Sequence, residues 1–162
     1  MASPPVERIA VILERRLVSG RWGGERWELL GVVPDVGGEP REIVAGGEAA
    51  QWLYPGHEVA LRRDEAEGYY LNVSSDQPSV FVSMRQDEGE ARPHPFQCTL
   101  SYNEAARWMD SNERVERVPA WPELVARMGQ WVEDNYRPEP KKRQRPRSFE
   151  GKEGRLREKD GS

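Results

Sequence analysis

The sequence predicts an α+β fold: an antiparallel β-sheet, strongly curved or partly closed, with two C-terminal helices packed against it. Three observations point there. Up to residue 100, apolar and polar side chains alternate in short runs separated by Gly, Pro and Asp clusters, the period of half-buried strands. From Ser101 onward the period lengthens to that of a helix. The chain has 162 residues, the size of one domain or of one small domain with a tail.

Ile9, Val11 and Leu13 alternate with Ala10, Ile12 and Glu14, which reads as a buried first strand. Gly20, Gly23 and Gly24 mark a turn. Residues 26–33 form a second strand with Trp27, Leu29 and Val33 on one face, and 34–40 is a Gly/Pro/Asp loop. Shorter pieces follow at 42–45 and 51–54. After His57, Val59 and Leu61 oppose Glu58, Arg62 and Arg63, and 64–68 is an acidic turn. Tyr69, Leu71 and Val73 share the face of a further strand, with Tyr70 and Asn72 opposite. Val80, Val82 and Met84 then pair against Phe81, Ser83 and Arg85. An acidic loop at 87–95 leads into a last strand carrying Phe96, Cys98 and Leu100.

Ser101 and Glu104 have the spacing of a capping box, in which the hydroxyl accepts from the Glu amide and the carboxylate reaches back. A helix over 102–109 follows, stopped by Asp110, Ser111 and Asn112; Val115 and Val118 form a brief extended piece. Pro122 and Glu123 suit a first helical turn. Trp121, Leu124, Val125, Met128, Trp131 and Val132 then make a core-facing stripe, with Arg127, Gln130 and Glu133 outside. The helix ends by Tyr136, before Pro138. The expected domain is 6–136.

The tail 137–162 carries ten Lys/Arg against five Asp/Glu, whereas the rest of the chain carries 14 against 23. Its large apolar residues are Phe149 and Leu156, too few to offset the entropy of ordering, so it is expected to be disordered. The basic tract Lys141, Lys142, Arg143, Arg145 and Arg147 suits nucleic acid, an acidic protein surface or a membrane, or else simply keeps the chain soluble.

Composition excludes several classes. No apolar run exceeds the five residues from Ile9 to Leu13, so no membrane-spanning helix is expected. The opening residues lack the basic and apolar regions of a secretory signal, and the expected location is cytoplasmic. Cys98 is the sole cysteine, which rules out an internal disulfide or a multi-cysteine metal centre.

Gly37-Gly38 and Gly46-Gly47 lack the Lys-Ser/Thr of a phosphate loop, and there is no Gly-x-Ser-x-Gly elbow. His94 and Cys98 would lie about 13 Å apart along a strand, too far for proton transfer. Cys98 therefore reads as a buried small hydrophobe. Asp87, Glu88 and Glu90 lack calcium-loop spacing and read as a solvated acidic loop. No catalytic, cofactor-binding or metal-binding residue is assigned, and no cofactor is expected. The candidate partner-binding residues are Trp22 and Trp52, at loop margins where an aromatic side chain anchors a partner, and Lys141, Lys142, Arg143, Arg145 and Arg147.

The least generic stretch is 69–82, where Asn72, Ser74 and Ser75 enter a tight connection. This block of Tyr70-Leu71-Asn72-Val73-Ser74-Ser75 and Pro78-Ser79-Val80-Phe81-Val82 does not stand alone. With it go Val11-Ile12-Leu13-Glu14-Arg15-Arg16, Trp22, Trp27, Met84-Arg85, Pro95-Phe96, Tyr102-Asn103-Glu104-Ala105 and Val118-Pro119. Over residues 7–145 the chain resembles a small proteobacterial family encoded beside molybdenum-dependent formate dehydrogenases and their accessory proteins. Members have been labelled molybdopterin-guanine dinucleotide biosynthesis protein A. That label belongs to a nucleotidyltransferase with a Gly-rich nucleotide loop and a larger scaffold, and this chain has neither. The resemblance therefore implies a non-catalytic role in making or regulating a formate dehydrogenase, through contact with a subunit or with another accessory protein. Two other classes stay open: a small-ligand or nucleic-acid binder using a half-open β surface near Trp22 and Trp52 with the basic tail, and an enzyme whose site is assembled from residues distant in sequence.

Overall fold

The computed structural model describes residues 3–18, 23–46 and 49–138. In chain order these form β1 (Val6–Val18), β2 (Gly24–Pro34), β3 (Arg41–Val44), β4 (Ala49–Ala60), a 3-10 turn (Arg63–Glu65), α1 (Ala66–Val73), β5 (Ser79–Arg85), β6 (His94–Thr99), α2 (Tyr102–Asp110), β7 (Arg114–Pro119) and α3 (Pro122–Asn135). The class is α+β, as expected. The strands divide into two antiparallel sheets, ordered β2-β1-β4-β3 and β6-β5-β7, and neither closes on itself. Ile9, Val11 and Leu13 of the first sheet, Val80, Val82 and Met84 of the second, and Leu124, Met128 and Val132 of α3 share one core. The sheets adjoin where β4 runs beside β6 and β2 beside β7.

Two bulges opposite β1 reset the expected register. Ile12 pairs with Gly31 but Leu13 with Leu29, so Leu30 is an extra residue on β2. An extra residue inverts the side-chain phase beyond it. Val32, rather than Val33, therefore joins Leu29 against the core, at 7% exposure. On β4, Ile9 pairs with His57 and Val11 with Tyr54. Gly56 takes up the extra residue at φ +87°, a conformation glycine adopts without Cβ strain. The two pieces read separately around 51–54 and 57–60 are consequently one strand.

The largest departure is α1. Alternation at Tyr69, Leu71 and Val73 predicted a strand, but the segment is helical. Tyr69 and Asn72 are fully buried while Leu71 is 41% exposed, the pattern of residues three apart on one helix face. Tertiary hydrogen bonds favour the helix: the Tyr69 hydroxyl donates to the Ala60 carbonyl at 2.8 Å and accepts the Arg62 N–H at 3.0 Å.

β6 begins at His94, which the sequence placed in a loop. Ser83 pairs with Gln97 and Met84 with Pro95, so Phe96 bulges outward, where the Arg85 guanidinium lies 3.5 Å from its ring centroid. Phe96 thus leaves the phase it was expected to share with Cys98 and Leu100.

The helix at Ser101 is capped as expected on one side: its hydroxyl accepts the Glu104 N–H at 3.0 Å. The Glu104 carboxylate does not return to the Ser101 amide. It accepts from the Thr99 hydroxyl at 2.6 Å, and Thr99 accepts the Ser101 N–H at 3.0 Å. The α3 stripe is as expected, with Leu124, Met128 and Val132 buried and Tyr136 as the C-cap. Among the described residues no helix is long and apolar enough to cross a membrane.

Candidate functional site

β5 is covered on both sides. Val80, Val82 and Met84 enter the main core, and Phe81 points the other way, beneath α2. Its ring meets that of Tyr102 edge-on, at 5.9 Å and 84°. Tyr102, Ala105 and Met109 recur at i, i+3 and i+7, so one face of α2 overlooks this region. On the neighbouring strand, Arg117 pairs with Phe81 and Val115 with Ser83. Together these residues enclose a shallow apolar cleft of about 110 Å³. Phe81 is 4% exposed, whereas Tyr102 and Met109 at the mouth are 45% and 51% exposed.

Two charged residues also line the cleft. The Glu116 carboxylate accepts the Leu29 N–H at 2.9 Å and pairs with Arg114 at 2.8 Å, so it is committed to the seam with β2. Arg117 is held by neutral acceptors: Nη2 donates to the Gln77 carbonyl and to Ser79 Oγ, each at 3.1 Å, and Nε donates to Ser79 Oγ at 3.3 Å. Its guanidinium carbon lies 5.3 Å from the Phe81 ring centroid.

Trp52 lies inside β4 and is half-buried, rather than at a loop margin as expected. The Arg92 guanidinium covers its ring at 3.3 Å, and Arg92 Nε donates to the Tyr54 hydroxyl at 3.1 Å. That hydroxyl donates in turn to the Pro93 carbonyl at 3.3 Å. The cluster fastens the β5–β6 loop onto the first sheet and occupies one face of the indole. Trp22, Lys141, Lys142, Arg143, Arg145 and Arg147 lie outside the described residues.

Cys98 is half-buried rather than fully buried as expected. Cys98 and His57 line one groove with Arg62, Glu104 and Trp108. Burial pushes the Cys98 thiol up to about 12, so it is protonated at neutral pH. Burial, and then the charge of His94, lower the His57 pKa, favouring the neutral ring. Buried Glu65 accepts from the Ser101 hydroxyl at 2.6 Å and pairs with Arg107, tying the start of α1 to α2.

Donor atoms of Asp87, Glu90 and His94 lie within 4.8 Å of one another. The structure thus gathers His94, rather than Glu88, with the acidic loop. Glu90 Oε1 already accepts the Asp87 N–H at 2.7 Å and lies 2.9 Å from His94 Nδ1. The Asp87 N–H, with His94 behind it, lowers the Glu90 pKa. These bonds close the loop, and a cation would have to replace them.

The signals for the cleft were dispersed through the sequence. Tyr102, Ala105 and Met109 repeat at helical spacing, but nothing local marks their partners on β5 and β7, because the pairing of those strands is a long-range fact. A family model described as "Protein of unknown function (DUF3305)" matches residues 8–145. The chain belongs to this family. No curated protein and no solved structure matches it. In this DUF3305 protein the matched span takes in the whole cleft, from Phe81 to Arg117, and the Trp52–Arg92 cluster. The family description states no activity, partner or cofactor.

Proposed function

We propose that this DUF3305 protein is a non-catalytic, cytoplasmic accessory protein that acts by protein–protein contact in the maturation or regulation of a molybdenum-dependent formate dehydrogenase. The observation that carries the contact reading is the cleft beneath α2, apolar on its floor and open at Tyr102 and Met109. Exposed Met and aromatic side chains around an apolar depression suit a protein partner, because they supply large contact area and adapt their rotamers. The pairing of buried Glu65 with Ser101 and Arg107 is consistent with binding rather than chemistry at that residue. The choice of formate dehydrogenase rests on the family resemblance in the 69–82 block and its companions.

The test is a deletion strain. Formate dehydrogenase activity or accumulation should fall while other molybdenum enzymes keep their cofactor, and a chain carrying Met109→Asp should fail to restore it. Unchanged formate dehydrogenase would sink the reading, and loss of every molybdenum enzyme would point to cofactor synthesis. The tract Lys141 to Arg147 should contribute through charge. Replacing its five Lys/Arg with Gln should matter most at low ionic strength, where the Debye length is about 30 Å at 0.01 M.

A further inference from the structure

Arg117 is set apart from most arginines around it. Arg62, Arg85, Arg107, Arg114 and Arg127 each pair with a carboxylate. The ion pairs among the described residues do not include Arg117. Its three hydrogen bonds go to neutral oxygens through Nε and Nη2, and among the described residues Nη1 makes none. The exposed side chain is therefore held in place without a carboxylate partner among the described residues, at the edge of an apolar cleft. A guanidinium fixed in advance loses little entropy when it takes up a carboxylate. The neighbouring Glu116 does not compete, being bonded to Leu29 and Arg114.

The cleft, about 110 Å³, sets the size of what enters. A dry cavity of about 150 Å³ holds benzene, so this one suits a single aliphatic side chain rather than a helix face or an indole. Phe81 would lie beneath that side chain, with Tyr102 and Met109 around it.

We propose that this cleft recognises a partner segment in which a leucine-sized apolar residue stands next to a carboxylate, the apolar group seated on Phe81 and the carboxylate on Arg117. The proposal rests on the contact reading above and names the chemistry of the partner at that site. The apolar contact supplies affinity and the cation supplies selection: a neutral or basic neighbour forgoes the charge-assisted bond, and a basic one meets like charge.

The experiment titrates the full chain, labelled at the methionine methyls and backbone amides, with the peptides Ac-Ala-Leu-Glu-Ala-NH2, Ac-Ala-Leu-Gln-Ala-NH2 and Ac-Ala-Leu-Lys-Ala-NH2. The Glu peptide should shift the Met109 methyl and the Tyr102 and Phe81 amides, with a dissociation constant of about 1 mM or tighter. The Gln peptide should bind at least about fivefold more weakly, since charge-assisted hydrogen bonds are roughly twice as strong as neutral ones. The Lys peptide should bind more weakly still. Arg117→Lys should retain the preference for Glu and Arg117→Gln should erase it, with unchanged amide spectra outside the cleft as the folding control. No shift from any peptide at about 10 mM, equal binding of the Glu and Lys peptides, or a preference that survives Arg117→Gln would overturn the proposal. This measurement needs no formate dehydrogenase, so its outcome is separable from that of the deletion strain.

Discussion

Asn72 and Ser79 are joined by a reciprocal pair of hydrogen bonds: Asn72 Nδ2 donates to the Ser79 carbonyl at 2.8 Å, and the Ser79 N–H donates to Asn72 Oδ1 at 2.9 Å. The amide thus imitates a neighbouring strand and fastens the end of α1 to the start of β5. The same Nδ2 donates to the Leu100 carbonyl at 2.8 Å, so one fully buried side chain ties together three segments. Asn72→Ala should leave three buried backbone groups without partners. At about 1–3 kcal/mol for each, a loss of at least ~3 kcal/mol is expected in denaturant unfolding. Asn72→Asp should not rescue it, because a carboxylate would face two carbonyl oxygens.

Gly68 on α1 lies against the start of α2. A Cβ there would lie 2.9 Å from Ser101 Cβ and 3.1 Å from the Asn103 nitrogen. Gly68→Ala should therefore destabilise by about 1–3 kcal/mol, against the ~1 kcal/mol that alanine ordinarily adds to a helix interior. Combining it with Ser101→Gly should cost less than the sum of the two single changes. Strict additivity would show that the helices are not in contact there.

Stability should fall on both sides of neutral pH. Burial raises the Cys98 thiol from 9.0 to about 12. Above pH 9 the unfolded chain releases this proton while the native chain holds it, so stability declines between those values. The buried Tyr69 hydroxyl, also raised, adds to this limb. His57 has the opposite sense: its native pKa lies below the ordinary 6.5. As pH falls through 6.5, the unfolded chain gains a proton that the native ring resists, and stability drops. Cys98→Ser should flatten the alkaline limb and His57→Gln the acid one, as read from melting temperature against pH. The native Cys98 thiol should also alkylate slowly at pH 8.

Trp131 packs edge-on against Tyr69, with centroids 5.4 Å apart at 85°, but it is only half-buried. Trp131→Ala should accordingly cost about 2–3 kcal/mol, less than the ~3–5 kcal/mol of a fully buried tryptophan. Calorimetry showing no loss would remove Trp131 from the core.

What the sequence determined by itself was whatever depends on neighbours within about a turn. The α3 stripe from Leu124 to Val132, the Ser101 cap, the buried run of β1 and the strand around Val80 to Met84 all carry their period locally, and all were read correctly in kind. Tertiary structure decided the rest. Alternation at Tyr69, Leu71 and Val73 suits a strand, yet the buried bonds of Tyr69 to Ala60 and of Asn72 to Ser79 and Leu100 are available only to a helix packed there. A single extra residue at Leu30 or Phe96 turns a strand's apolar face over, and pairing partners set the position of that residue. The cleft draws Phe81, Tyr102, Met109 and Arg117 from three elements whose juxtaposition follows from strand order, so no window of sequence contains it. Local free energies select each element's type, whereas long-range pairing selects which side chains meet.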